Sequence, residues 1–198
     1  PLFIIVDPVG VLAVFVAITP QHGPEERRRM AARGCAAGLI LLLAFLLLGQ
    51  TLLDYFAIGE AAVEICGGIL LFAIALEMLY GRPTRTGMSR REKRMAEAMK
   101  DVSVVPLGFP LLAGPGAITT CLLFSERADS FADYLALVVA ATAILGGTFL
   151  LLSNGERLIA KLGDLGAVLV TRILGLVLAF LATQYAIEGL RAAFVDHS

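Results

Sequence analysis

Charged residues in this chain are segregated from apolar ones in long blocks. Four stretches of at least 20 residues, Pro1–Pro20, Gly34–Leu53, Val102–Ser125 and Tyr134–Gly155, hold no more than one formal charge each. A helix rising about 1.5 Å per residue crosses a hydrocarbon core of about 30 Å in about 20 residues, so each stretch predicts a membrane span. Two further apolar stretches, Ala61–Tyr80 with Glu64 and Glu77 and Leu165–Ile187 with Arg172, bring the predicted spans to six. The expected fold class is an all-α polytopic membrane protein. Composition agrees, with 58% hydrophobic and 17% charged residues and a mean hydropathy of +0.84. Soluble domains hold about 45–50% and about 25% respectively, which nearly excludes a soluble enzyme. The net charge of −1 leaves no footprint for nucleic acid. No basic region or small-residue cleavage site precedes the first apolar stretch, so no signal peptide is expected, and the initial Pro1 suggests a few residues upstream that lengthen the first span.

Basic residues fix the expected orientation. Arg27, Arg28, Arg29 and Arg33 follow span one, Arg157 and Lys161 follow span five, and Arg82, Arg85, Arg90, Arg91, Lys93, Arg94 and Lys100 fill the central stretch Gly81–Asp101. Thirteen of the 16 basic residues thus share one face, leaving Arg127 and Arg191 on the other and Arg172 inside a span. Basic loops stay cytoplasmic, which places both termini outside. The central stretch reads as a solvated linker, with a lipid-binding or regulatory role as the alternative. Cys35, Cys66 and Cys121 fall in apolar segments without metal spacing and read as small core residues.

The chain also repeats itself. An offset of 107 residues superposes Pro8 on Pro115, Gly59 on Gly166, Val63 on Val170 and Gly68 on Gly175. Each unit then holds three spans, and an odd number of crossings inverts the second copy. The expected organisation is a 3+3 inverted repeat: residues 1–80, a linker at 81–101, and residues 102–198. In such folds the binding site lies near the midplane, where helices of the two copies are interrupted at corresponding positions. Here the expected interruptions are Pro8–Gly10 in span one, and Pro106, Pro110 and Gly114–Gly116 in span four.

Proline lacks an amide donor and glycine tolerates unusual dihedrals, so these segments are expected to unwind. Unwound backbone offers N–H groups to a carboxylate and carbonyls to an ammonium or a cation, and it persists at membrane depth only under cover. The candidate substrate or ion site is therefore Asp7, Pro8, Gly10, Gly114, Pro115 and Gly116, with the hydroxyls of Thr119 and Thr120. Asp7 reads either as a functional carboxylate or as the N-cap of the half-helix that follows. Glu64 reads either as a charge relay or, like Glu77 and Arg172, as a snorkelling side chain. The opposite depths of Glu64 and Arg172 argue against a pair. The Gly34, Gly38, Gly146 and Gly147 positions read as sites of close helix approach. His22 and His197 lie outside the spans, and no hydrolase or nucleotide motif occurs, so no enzymatic activity, metal or cofactor is expected beyond a coupling H⁺ or Na⁺.

Ile5-Val6-Asp7-Pro8-Val9-Gly10, Thr19-Pro20, Ile65-Cys66-Gly67-Gly68-Ile69-Leu70-Leu71-Phe72 with Ala75 and Met78, Val104-Val105-Pro106-Leu107 and Leu112-Ala113-Gly114-Pro115-Gly116-Ala117-Ile118-Thr119-Thr120 together resemble the MarC family of bacterial and archaeal inner-membrane proteins. The resemblance covers essentially the whole chain. It implies six spans and, for some members, transport of small neutral amino acids such as alanine, glycine and serine. The function expected is a secondary transporter of that class, working by alternating access between spans one and four. The alternatives are an exporter of hydrophobic or toxic metabolites and a non-transporting scaffold. Expected partners are membrane lipid and a small-molecule substrate, and a homo-oligomer is compatible with the sequence.

A cysteine placed at Met88 tests the orientation. Labelling from the cytoplasmic side alone is expected, whereas labelling only from outside intact cells would reverse it.

Overall fold

The computed structural model describes residues 1–19, 21–80 and 101–195, so the linker expected at 81–101 lies, Asp101 apart, outside the described residues. Every regular element among them is helical. In chain order they are α1 (Leu2–Val6), α2 (Pro8–Ile18), α3 (Pro24–Tyr55), α4 (Glu60–Tyr80), α5 (Ser103–Leu112), α6 (Pro115–Glu126), α7 (Phe131–Ser153) and α8 (Gly155–Val195).

Length and composition qualify four helices to cross a membrane: α3, α4, α7 and the Val168–Phe194 part of α8. The pair α5 and α6, bent by 57°, makes a fifth if counted as one span, and Leu2–Ile18 is shorter than a full crossing. The boundaries also differ from expectation. Arg27, Arg28, Arg29 and Arg33 stand in the first turns of α3, not in a loop. Pro24 opens that helix, and Glu25 and Glu26 in its first turn complement the positive end of the dipole. Met30, Ala31, Gly34 and Cys35 are buried, so the inward stripe starts ahead of the apolar block. Arg157 and Lys161 likewise lie within the helical backbone of α8, which changes direction at Gly163, φ 67° and ψ 161°. Only glycine adopts that conformation at no cost.

Lipid is as apolar as leucine, so helices in it associate through close packing at small residues. A Cβ on Gly34 would sit 2.8 Å from the Ser103 carbonyl oxygen, and one on Gly38 would sit 3.1 Å from Leu112 Cβ, which fixes α3 against α5. Gly146 and Gly147, expected to play the same part, have no described residue outside their own helix within 4 Å of where a Cβ would stand. Cys35 and Cys121 are buried as expected, but Cys66 is exposed. It stands on the side of α4 opposite the buried stripe Val63, Glu64, Gly67, Gly68, Leu71 and Ala75.

The strongest helix pairs join the first half of the chain to the second. α3 packs on α5, α6 and α7, α6 packs also on α4, α2 packs on α7 and α8, and α4 runs along α8. Within that last pair, a Cβ on Gly68 would sit 2.7 Å from the Ala182 carbonyl oxygen and 2.8 Å from the Ala186 amide nitrogen. A Cβ on Gly175 would sit 3.2 Å from the Ala75 oxygen and 3.3 Å from the Leu79 nitrogen. The two sets of residues differ by 107 at every position. Arg27 Nε donates to the Thr19 carbonyl at 2.9 Å and the Tyr134 hydroxyl donates to the Ser125 carbonyl at 3.1 Å, each tying the start of a long helix to the end of a half-helix; only the donors, not the acceptors, are related by that offset.

Gly68→Ala is expected to destabilise the protein by about 1–3 kcal/mol, because its neighbours are backbone atoms that cannot yield. Gly146→Ala is expected to be neutral or to stabilise by up to about 1 kcal/mol through helix propensity. Thermal unfolding in detergent compares them.

Candidate functional site

Both expected interruptions exist, but the prolines do not unwind them. The chain leaves α1 at Asp7, a single residue in the left-handed region with φ 42° and ψ 68°, and Pro8 opens α2 as its first residue. The second break is Ala113 and Gly114, and Pro115 opens α6 in the same way. Pro8–Gly10 and Gly114–Gly116 were expected to be open backbone. They are instead mostly helix starts, because proline's fixed φ suits the first helical turn and its missing donor costs nothing there. The prolines that do distort are Pro106 and Pro110, inside α5. Val105 and Phe109 ahead of them are extended, at φ −126° and −137°. Proline disfavours helical backbone in the residue before it. Helical bonds there skip one residue more than usual, Leu107 N–H to the Val102 carbonyl at 3.1 Å and Ala113 N–H to the Gly108 carbonyl at 3.0 Å.

Asp7 is held on two sides. Its Oδ1 accepts from the Gly10 amide at 3.1 Å, the N-cap of α2, and its Oδ2 accepts from the Thr171 hydroxyl of α8 at 3.3 Å. Gly10 is required for this, since a Cβ there would lie 2.1 Å from Oδ2. The other break is close by: Ile5, two residues before Asp7, lies against Gly116, two residues after Gly114, where Leu71 and Ile74 of α4 also pack. Thr119 and Thr120 turn back along α6, donating to the carbonyls of Pro115 and Gly116 at 2.8 and 2.9 Å. Their protons are committed to the helix, while their oxygens can still accept.

Glu64 does not snorkel. Its side chain is 5% exposed and forms an ion pair with Arg127, the residue that ends α6. Arg127 pairs also with Glu188 of α8, which accepts from Gln184 at 2.8 Å, and its guanidinium lies 5.2 Å from the Tyr185 ring centre. A buried carboxylate demands a partner, and the partner here comes from a loop 63 residues away. Arg172 is exposed, and no pair with Glu64 forms.

At the other end of the bundle a cavity of about 310 Å³ opens between the end of α2 and the starts of α3 and α8, lined by Phe15, Arg27, Ser153 and Asn154 among others. On that side Asp101 accepts from the Ser103 amide at 2.9 Å and from its hydroxyl, and pairs with Arg33 at 3.1 Å. The Ser103 donors, and after them Arg33, hold the Asp101 carboxyl below its ordinary range. Among the described residues no three His, Cys, Asp or Glu side chains converge as a metal site requires.

Thr171, Arg127 and Glu188 were missed in the sequence. A signal for the first was present, because the 107-residue offset lays Thr171 over Glu64. Polar positions of α4 and α8 therefore share one register.

Apolar helices of crossing length, two interrupted helices in contact and a capped carboxylate between them define an integral membrane protein of the polytopic helical class. The chain matches the family described as MarC family integral membrane protein over residues 1–194, and it belongs to that family. A UPF0056 membrane protein of Methanocaldococcus jannaschii is 35% identical over 194 residues, 98% of this chain and 94% of that one. The UPF0056 inner membrane protein YhgN of Escherichia coli K12 is 33% identical, over 96% and 92% of the two chains. The UPF0056 membrane protein YvbG of Bacillus subtilis is 29% identical, over 98% and 92%. No solved structure matches.

Gly10→Ala is expected to expel the Asp7 carboxylate from its cap and to cost at least the ~1 kcal/mol that a lost N-cap carries. Thr171→Val leaves the cap intact and is expected to cost less. Thermal unfolding ranks the two, and equal losses would mean that the cap contributes nothing.

Proposed function

We propose that the protein is a secondary transporter of small neutral amino acids of the alanine, glycine and serine class, driven by H⁺ or Na⁺. It is not an enzyme in this reading, and it sits in the cytoplasmic membrane of a bacterium or archaeon with both termini outside. The observation that carries the reading is the meeting of two half-helix starts, Asp7–Pro8 and Gly114–Pro115, at positions related by the repeat offset. N–H ends of half-helices suit a carboxylate, and the Asp7 carboxylate suits an ammonium or the coupling ion. Together they match the two ends of a zwitterion.

The architecture in this proposal is the six-segment 3+3 inverted repeat. The first copy runs through α1–α2, α3 and α4. The second runs through α5–α6, then α7 with the start of α8, then α8 beyond Gly163. Support comes from register: helices begin at Pro8 and Pro115 and again at Pro24 and Phe131, and the backbone contacts of Gly68 and Gly175 fall on equivalent residues. Gly163 falls beside the equivalent of Ala57, φ 52°, at the joint between α3 and α4.

Asp7→Asn tests the mechanism. Asparagine can still accept from Gly10 and can donate to Thr171 Oγ1, so the fold is kept while the charge is lost. Concentrative amino-acid uptake into proteoliposomes under an imposed ion gradient is expected to be abolished, and Asp7→Ala is expected to lose about 1 kcal/mol of stability as well. Near-normal uptake by Asp7→Asn would make Asp7 purely a cap. The binding groups would then be the backbone of Gly114–Gly116 and the oxygens of Thr119 and Thr120.

A further inference from the structure

We propose that Arg127, clasped by Glu64 and Glu188, is an ionic latch that closes the end of the bundle opposite Arg27 and opens when α6 moves. The inference rests on the transporter reading and deepens it.

α6 is a rigid half-helix with the break at one end and the latch at the other. Gly114 caps its start and Arg127 caps its end, where a cation is favoured by the helix dipole. Between them α6 runs antiparallel along α4 in a regular ladder. Gly116 meets Leu71 and Ile74, Thr119 and Leu123 meet Gly67, and Arg127 meets Glu64. The contacts along this ladder are apolar and small, a Cβ on Gly67 lying 3.0 Å from Leu123 Cδ1. Such a surface permits sliding or tilting, so the only strong directional bonds described along it are those of Arg127.

The latch joins elements that an alternating-access cycle must separate. Glu64 belongs to the first half of the chain, Arg127 and Glu188 to the second. At Glu64 the α4 backbone is packed closely on α8, a Cβ on Gly189 lying 2.8 Å from Glu64 Cβ, so Glu64 is carried by the α4–α8 pair and not by α6. Arg127 is 38% exposed on its side chain, Glu188 33% and Glu64 5%. Breaking the pair therefore leaves one buried and uncompensated carboxylate, which makes the closed state a distinct well. At the far end of the bundle lies the cavity beside Arg27. A ligand that shifts Gly114 tilts α6 as a lever and loads the latch.

Cysteine reactivity at Leu123, 1% exposed and one turn behind the latch, tests this in lipid nanodiscs with Cys35, Cys66 and Cys121 replaced by alanine. Leu123→Cys is expected to react slowly with a water-soluble maleimide, and about tenfold faster when Arg127→Gln or Glu64→Gln is added, as a shift of the closed population would produce. The exchange Arg127→Glu with Glu64→Arg keeps one arginine and two carboxylates and is expected to restore slow labelling. Leu145→Cys, at a position 1% exposed on α7, is expected to stay slow throughout. Unchanged labelling at Leu123→Cys, acceleration at both reporters, or failure of the exchange would overturn the latch. If the glutamine variants do not fold, Arg127→Lys, expected to label at an intermediate rate, carries the same comparison. None of these readouts needs a substrate, so a latch that responds in a protein without amino-acid uptake would refute the transport reading and leave the latch standing.

Discussion

Backbone polar groups left unpaired in lipid cost several kcal/mol each, and that constraint shapes everything around the two helix breaks. A chain that interrupts a helix at membrane depth must cover the interruption with protein or water. Asp7 accepts the Gly10 amide, Thr171 closes the other carboxylate oxygen, and Ile5, Leu71 and Ile74 pack around Gly116. In α5 the same problem is met differently. The two prolines remove donors, and the remaining amides reach one residue further back to find carbonyls. The breaks survive because each has its own local repair.

Close packing is the second requirement, and it is met asymmetrically along the chain. α3 carries glycines where it crosses α5, and α4 and α8 carry glycines where they cross each other. Where α7 carries two glycines, no described residue outside that helix comes within 4 Å of where a Cβ would stand. Small residues therefore permit contact without compelling it, and the choice is made by the neighbouring helix. The charged groups follow a similar logic. Glu64 is buried because α8 passes over it at Gly189, and it is tolerable only because Arg127 arrives from the end of α6.

The apolar blocks, the basic asymmetry and the Pro/Gly punctuation were legible in the sequence, because membrane thickness and proline sterics act locally on any chain. They gave the helical class, the place of both breaks and the candidate role of Asp7 as a cap. The 107-residue offset was legible too, and it foreshadowed the paired contacts of Gly68 and Gly175. Tertiary structure alone decided the rest. It showed that the prolines start helices where unwinding was expected, that Arg27 and its neighbours extend α3, that Cys66 faces outward, and that Thr171 and Arg127 supply the partners of Asp7 and Glu64. Those partners lie 164 and 63 residues away along the chain. Sequence spacing constrains neighbours within a turn or two, whereas contacts at such separations depend on how whole helices cross.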